Sequence, residues 1–167
     1  DQVRILPYNR VVKDLHGLGL DGFVQRMRAL GQFEVHGHSR PSQKHEICVF
    51  LDGGWNLFRW NPDLVSRENP IGQLDVALLQ KHVLAPLLGI EDPRTSKRIA
   101  FVGGIRGTGE LESLVRNDGY AAAFSMFPTS VDDLMQIADQ DGIMPPKSTW
   151  FEPKLRDAMF CHLLETR

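Results

Sequence analysis

The chain has 167 residues, and its 19 Lys and Arg residues nearly balance 21 Asp and Glu, for a formal net charge of -2 at pH 7. This length predicts a single domain over residues 1–167, and the absence of any basic run argues against nonspecific nucleic-acid binding, which needs clustered positive charge. The longest uncharged apolar stretch, residues 120–131, is shorter than the roughly 20 residues of a membrane helix. Cys48 and Cys161 lie in apolar segments without a nearby Cys, which predicts reduced thiols and a cytoplasmic protein.

The first elements predicted along the chain are a strand, an amphipathic helix and a second strand. Residues 3–6 favour a short strand, and the sequence begins at Asp1 without an initiator Met or a signal-peptide pattern, which predicts a fragment or a processed chain. Asp21 is placed as the N-cap of a helix that Gly31 ends. Residues 33–35 alternate apolar and polar side chains, as in a half-buried strand.

A hairpin and a long apolar helix follow. Residues 47–51 and 55–60 are apolar runs separated by residues 52–54 (DGG), a composition typical of a tight β-turn. Residues 74–88 favour a helix that is apolar almost all round. Pro86 should kink or end this helix, because proline lacks the backbone N–H donor.

A polar loop over residues 37–44 is flanked by side chains that can ligate metals. His36, His38 and His45 lie near Cys48 in the sequence. Structural zinc sites usually have closer paired spacing and more thiolates. We therefore predict a solvated loop and no metal site.

The second half of the sequence alternates strand and helix. Residues 99–102 form a buried-strand run, and helical spacing begins at residue 111 after a glycine-rich loop. Residues 120–127 favour another buried strand, and Ser130 with Asp133 resembles a capping box at the start of a helix. We therefore predict an α/β fold: a mixed sheet with a hairpin and a strand–helix–strand–helix unit, with helices packed on the sheet.

The glycine-rich loop after residue 102 has the layout of an anion site. Glycines allow a close approach of the backbone to a ligand, the following helix presents unpaired N–H groups at its start, and a guanidinium suits phosphate or carboxylate. The spacing is neither GxGxxG nor that of a P-loop, so a tight connection with glycines for packing is the alternative. The predicted ligand-binding residues of this loop are Gly103, Gly104, Arg106, Gly107 and Thr108.

Residues 143–154 have neither helical nor strand period, yet they combine apolar bulk with lysines and hydroxyls. Long irregular loops are often functional, and the alternative is an apolar lid in which Trp150 and Phe151 cover a sheet edge. Residues 158–164 then favour a closing strand, with a short helix as the alternative. The predicted ligand-binding residues of the irregular loop are Lys147, Ser148, Thr149 and Lys154.

We expect the two stretches to meet and to hold one anion between them, since ligands gather outside the carboxyl ends of strands in α/β sheets. Arg106→Ala should then weaken phosphate or sulfate binding roughly ten-fold or more, because losing a charged hydrogen-bond partner costs about 1.5–3 kcal/mol. A structure with Arg106 and Lys147 on opposite faces would contradict this expectation.

Three long segments carry a family resemblance: residues 5–18 (ILPYNRVVKDLHGL), residues 74–107 (LDVALLQKHVLAPLLGIEDPRTSKRIAFVGGIRG), and residues 127–155, with FPTSVDDLMQIAD and GIMPPKSTWFEPKL. They resemble the C-terminal part of a bacterial and archaeal family catalogued as domain of unknown function family 1015. Full-length members are much longer and carry upstream a DGHHR-type motif similar to the ParB and sulfiredoxin superfamily, which includes free-serine kinases. The resemblance implies that this chain is the C-terminal portion of a longer protein.

The sequence departs from that family at two positions. Members usually have acidic residues where Ser96 and Ala100 stand here. If those carboxylates bind a metal in the relatives, this chain has lost that role.

Two functions follow as hypotheses. The first is a phosphate- or nucleotide-binding portion of a phosphoryl-transfer protein that is kinase-like at full length, with a nucleotide and Mg as the implied cofactors. The nearest acid or base candidates are Glu110, Glu152, Asp132 and Asp133, but Asp132, Asp133 and Glu110 also suit helix starts, so no catalytic residue is assigned. The alternative is a noncatalytic ligand-binding or regulatory domain for a phosphometabolite or a partner protein. The sequence identifies neither a substrate nor an oligomeric state.

Overall fold

The computed structural model describes residues 3–35, 37–66 and 68–154, and its centre is a six-stranded sheet on which helices pack. The strands are β1 Arg4–Leu6, β2 Tyr8–Val12, β3 Gly31–Val35, β4 Glu46–Leu51, β5 Gly54–Trp60, β6 Ile99–Gly103, β7 Ala122–Met126 and β8 Trp150–Glu152. The α-helices are α1 Gly19–Leu30, α2 Asp75–Leu79, α3 Gly107–Asn117 and α4 Val131–Ala138. Single 3₁₀ turns span Pro62–Leu64, Ile71–Gln73 and Gly104–Arg106, and a π-helical turn, Gln80–Leu84, continues α2.

The order of strands in the main sheet is β3-β5-β4-β7-β2-β6, and every neighbouring pair is antiparallel. Because β6 and β7 both run antiparallel to β2, they point in the same direction on either side of it. Each of them then leads into a helix, α3 after β6 and α4 after β7. The α/β fold with a hairpin and a strand–helix–strand–helix unit is therefore confirmed. The main sheet is antiparallel throughout rather than mixed, because β2 is inserted between the two parallel strands of that unit, β6 and β7.

The two faces of the sheet carry separate apolar cores, because successive side chains of a strand point to opposite faces. Val12 belongs to the larger core with Phe23 of α1 and Leu79 of α2. Val11 belongs to the smaller core with Leu111 of α3. We call the side of Val12 the α1 face and the side of Val11 the α3 face.

Two local predictions hold in detail. In the β4–β5 hairpin, Asp52 and Gly53 have φ values of 50° and 73°, the left-handed conformation that tight hairpin turns require. At the start of α4, the Ser130 hydroxyl accepts a hydrogen bond from the Asp133 amide, and the Asp133 carboxylate accepts one from the Ser130 amide. This is the predicted capping box.

Helix starts and ends differ from prediction elsewhere. Asp21 is not an N-cap, since α1 begins at Gly19 and Asp21 lies in its first turn, where a carboxylate still complements the helix dipole. The helix predicted over residues 74–88 is shorter, because α2 passes into the π-helical turn that ends before Pro86. In β3, Phe33 is half-buried but Val35 is 89% exposed. Cys161 and the closing strand predicted over residues 158–164 lie outside the described residues.

A second, two-stranded sheet joins the first described strand to the last. β1 pairs antiparallel with β8, so that Arg4 is the partner of Glu152 and Leu6 is the partner of Trp150. Part of the predicted irregular loop is thus a strand that is fixed against the beginning of the chain. None of the described helices combines the length and the apolar character needed to cross a membrane.

Candidate functional site

Seven of the nine predicted ligand-binding residues line two cavities, and Gly103 and Arg106 line neither of them. The first, which we call the lysine cavity, has a volume of about 430 Å³ and is lined by Tyr8, Met144, Pro145, Lys147, Ser148, Thr149, Trp150, Phe151 and Lys154. The second, which we call the glycine cavity, has a volume of about 510 Å³ and is lined by Leu6, Pro7, Asn9, Arg40, Pro41, Gly104, Ile105, Gly107, Thr108, Ser125, Met126, Phe127 and Pro128.

Aromatic rings and ammonium groups form the walls of the lysine cavity. The rings of Tyr8 and Trp150 meet edge to face with their centroids 5.4 Å apart. The Lys147 Nζ lies 5.3 Å from the centroid of the Tyr8 ring, and the Lys154 Nζ lies 4.1 Å from that of Trp150. These contacts hold both cations over ring faces, which attract positive charge.

Trp150 can take this position only because residue 103 is a glycine. A Cβ built on Gly103 would lie 2.4 Å from the Trp150 ring, well inside van der Waals contact. The two predicted ligand stretches therefore do touch, at Gly103 and Trp150, through packing of the indole on the end of β6.

The hydroxyls of this segment have unequal roles. Ser148 is 4% exposed, and its hydroxyl donates to the Pro145 carbonyl at 2.6 Å while its own carbonyl accepts from the Thr129 hydroxyl at 3.1 Å. Ser148 therefore fixes the shape of the loop. Thr149 lines the cavity and is only partly buried, so it remains accessible to a ligand.

A buried arginine contacts the backbone of the lysine-cavity loop and itself lines a neighbouring cavity, which Glu91 and Asp92 also line. Arg10 is 3% exposed, donates to the backbone carbonyls of Tyr8 and, at 3.1 Å, Lys147, and lies 5.6 Å from the centroid of the Phe101 ring. Burial lowers the pKa of its guanidinium to about 10, so it is still charged at neutral pH. The sequence analysis missed Arg10, although an arginine that directly precedes the apolar end of β2 was a usable signal.

Charge at this place is unbalanced within the described residues. Within the described part of the chain, no ion pair involves any of the three cations Arg10, Lys147 and Lys154, and the ion pairs that do form involve other Lys and Arg residues. The neighbouring carboxylate, Glu152, accepts a hydrogen bond from the Trp150 indole at 3.1 Å. A buried cation without a counter-charge is costly, so an anion bound here would be stabilised.

The glycine cavity lies on the α3 face, at the ends of β6 and β7. The loop that was predicted to bind a ligand is largely helical, because Gly104–Arg106 is a 3₁₀ turn and α3 begins at Gly107 rather than at residue 111. Gly104, Gly107 and Thr108 line the cavity, and the Thr108 hydroxyl is hydrogen-bonded to the Ser39 hydroxyl at 2.8 Å.

The structure gives no support to the single bridging anion predicted from the sequence. Arg106 is exposed, forms an ion pair of 3.1 Å with Glu110 of α3, and lines neither cavity. Lys147 contacts Tyr8 and Arg10, whose side chains share the α1 face with Val12. Arg106 and Lys147 thus have different partners and line no common cavity.

A third polar cluster, also missed from the sequence, lies at the start of α2. Asp75 is 6% exposed, its Oδ2 accepts from the His45 amide at 3.1 Å, and its Oδ1 has no hydrogen-bond partner. Burial raises the pKa of this carboxyl to about 7. The nearby Lys44 Nζ pairs with Asp133 at 2.5 Å. Across the described ranges, no three His, Cys, Asp or Glu side chains come together as metal ligands.

Comparison with known proteins gives one family and several structures of similar fold. Residues 1–77 match the model of the family described as "Protein of unknown function (DUF1015)". No curated protein matches the sequence. A mutant free serine kinase solved with AMP is 12% identical with a TM-score of 0.52, over 90% of this chain and 54% of that chain. A complex of that kinase with ADP is 13% identical with a TM-score of 0.51, over 90% and 54% of the two chains.

A conserved hypothetical protein from Pyrococcus furiosus is 10% identical, with a TM-score of 0.53 over 89% of this chain and 56% of that one. The chain therefore spans little more than half the length of these structures. At such identities the likeness shows a common fold. The match over residues 1–77 agrees with the resemblance to the DUF1015 family that the sequence motifs predicted.

Proposed function

We propose that this chain is the nucleotide- or phosphate-binding portion of a phosphoryl-transfer protein of the free-serine-kinase type, and that the lysine cavity holds the phosphorylated ligand. The observation that carries the proposal is the pair of ammonium groups, Lys147 and Lys154, which have no carboxylate partner among the described residues and border one cavity. Phosphoryl transfer depends on positioning and on cations around the transferred oxygens.

The size and lining of the cavity suit a nucleotide. Its volume of about 430 Å³ lies in the usual range of ligand pockets, about 300–1,000 Å³. Phe151 offers aromatic surface for a base, while the rings of Tyr8 and Trp150 hold the two ammonium groups in place, and the buried charge of Arg10 adds to the positive potential. Proteins of similar fold have been solved with AMP and ADP, which makes these nucleotides the first ligands to test. A Mg²⁺ ion would enter with the nucleotide phosphates.

Binding can be tested by isothermal titration and thermal shift with ADP, AMP, adenosine and inorganic phosphate. ADP should raise the melting temperature, because a ligand that binds only the native state stabilises it. Lys147→Met and Lys154→Met should each weaken ADP binding roughly ten-fold while leaving adenosine binding unchanged, since each removes one charged contact to phosphate.

The matched control is Lys13→Met. Lys13 is exposed and follows β2 at the end opposite Tyr8. The Lys13→Met variant should bind ADP as tightly as the wild type does. Unchanged ADP affinity in both cavity variants, or an equal loss in Lys13→Met, would refute the proposal.

The alternative proposal is a noncatalytic domain that recognises a phosphometabolite or a partner protein. It is favoured by the lining of the lysine cavity, in which no described residue is a carboxylate that could act as a base. Glu110 pairs instead with Arg106, and Asp133 with Lys44. Serine-dependent consumption of ADP or ATP by the full-length protein would favour the kinase, and nucleotide binding without turnover would favour the regulatory domain.

A further inference from the structure

The glycine cavity has a polar floor with unused hydrogen-bonding groups. Asn9 and Ser125 line it, and each is only 2% exposed. The Asn9 Oδ1 accepts from the Met126 amide at 3.0 Å, but the Asn9 Nδ2 and the Ser125 hydroxyl form no hydrogen bond with the described residues. Because both residues line the cavity, a ligand inside it could hydrogen-bond with these groups.

Asn9 and Ser125 come together because they lie on neighbouring strands and their side chains point to the same face of the sheet. In the β2–β7 pair, Val11 lies opposite Ala123, and Asn9 and Ser125 are each two residues along from that pair. Side chains two residues apart share a face, so both polar groups point to the α3 face. The lysine cavity is on the α1 face and is therefore a different site.

The walls of the glycine cavity are apolar. Pro7, Pro41, Ile105, Phe127 and Pro128 surround its volume of about 510 Å³. Ligand pockets typically combine such walls with a few fixed polar groups. The occupant should therefore have a hydrocarbon body with a hydrogen-bonding group at its buried end.

The rim of the cavity favours negative charge. α3 has 11 residues, starts here at Gly107 and has no side-chain cap. The Gly107 amide donates to the Gly104 carbonyl, so it is the later amides of the first turn, beginning at Thr108, that face an anion. Arg40, also on the rim, is exposed and has no ion-pair partner in the described ranges, and none of the lining residues is acidic.

We infer that the glycine cavity is a second ligand site, which takes a small organic carboxylate. The carboxylate of the ligand would bind at the start of α3 and to Arg40, and its apolar body would lie between the prolines. A hydroxyl or carbonyl at its other end would hydrogen-bond with Asn9 and Ser125. The inference does not rest on the function proposed for the lysine cavity.

Three probes separate the parts of this site: 4-hydroxybenzoate, 4-methylbenzoate, which lacks the buried hydroxyl, and 4-hydroxybenzyl alcohol, which lacks the charge. In NMR titrations, 4-hydroxybenzoate should shift the amides of Thr108 and Met126 and bind about ten-fold more tightly than 4-methylbenzoate. Ser125→Ala should abolish that preference. The control variant Ser113→Ala should keep the preference for 4-hydroxybenzoate, because the Ser113 hydroxyl does not line the cavity and is hydrogen-bonded to Asn117.

A second variant tests the rim without touching the buried floor. Arg40→Gln should weaken both benzoates about five- to ten-fold and leave the alcohol unchanged, and Lys147→Met should change none of the three. If no probe shifts these amides, if the hydroxyl preference survives in Ser125→Ala, or if Arg40→Gln affects acid and alcohol alike, the inference is wrong.

Discussion

Replacing Asp75 by Asn should remove a large part of the pH dependence of the protein's stability. The carboxyl is 6% exposed, and one of its oxygens has no hydrogen-bond partner. Burial raises its pKa from 3.8 to about 7, against smaller opposing effects of the His45 amide, Lys44 and the Trp60 indole. The native protein therefore holds this proton across a pH range in which the unfolded chain has lost it.

The sign and size of the effect follow from proton linkage. Between pH 3.8 and about 7 the native state binds one more proton at Asp75 than the unfolded state does, so stability falls as the pH rises, by about 1.4 kcal/mol per pH unit. The full penalty, about 4 kcal/mol, is present above the native pKa and disappears below the unfolded one. Asparagine is neutral throughout and carries no such penalty.

Urea unfolding of both proteins at pH 5, 6, 7 and 8 measures the effect. The free energy of unfolding of Asp75→Asn minus that of the wild type should increase by roughly 2–3 kcal/mol from pH 5 to pH 8, whatever the constant cost of the amide. The half-buried His45 and His82, whose pKa values are lowered by burial, are present in both proteins and so contribute to both profiles. Asp63→Asn, which changes an exposed carboxylate, should keep the wild-type profile. A difference that stays constant over this range would show that Asp75 does not titrate there.

Three further predictions concern a thiol, a glycine and the isolated chain. Cys48 is fully buried and its pKa is raised to about 12 by burial, so in a Cys161→Ser background a thiol reagent should label it far more slowly in native protein than in urea; comparable rates would contradict this. Gly103→Ala should cost about 1–3 kcal/mol of stability and weaken ADP binding because its Cβ displaces Trp150, whereas Gly109→Ala, which meets no atom within 4 Å, should cost nothing in a urea melt; equal effects of the two would refute the role of the close approach. The 167-residue chain should show no kinase turnover in an ATP- or ADP-consumption assay, since its sequence contains no DGHHR-type motif; robust turnover would overturn this.

Local chemistry made several elements predictable. The turn at Asp52 and Gly53 needs left-handed backbone, which that pair of residues adopts at low cost. The Ser130–Asp133 capping box likewise depends on atoms within one helical turn. Each of these features could be predicted because all its partners lie close together in the sequence.

Helix limits set by packing could not be predicted in this way. The low helix propensity of glycine predicts that α3 starts after the glycine-rich loop, yet the helix begins at Gly107. Burial of Leu111 against the sheet stabilises the helix from that residue onward. Asp21 has the composition of a cap, but α1 starts two residues earlier.

The candidate site needed information that no short stretch contains. The face of the sheet that Lys147 reaches depends on the insertion of β2 between β6 and β7. A shift of one residue in the pairing register of β2 would move each of its side chains to the opposite face. Asp75 and Ser125 were missed because each is a single polar residue in an apolar run, and Arg10 because it follows Asn9 at the polar start of β2. Their burial and their missing partners become visible only in the assembled sheet.

The lysine cavity joins opposite ends of the described chain, and this affects when it can form. The hydrogen bond from Arg10 to Lys147 spans 137 residues, and the β1–β8 pair brings together segments that are just as far apart. Closing so long a loop is entropically costly and comes late in folding. A growing chain on the ribosome would therefore complete the six-stranded sheet first and acquire the lysine cavity only after Lys154 has emerged, so that its early intermediates cannot yet capture a nucleotide there.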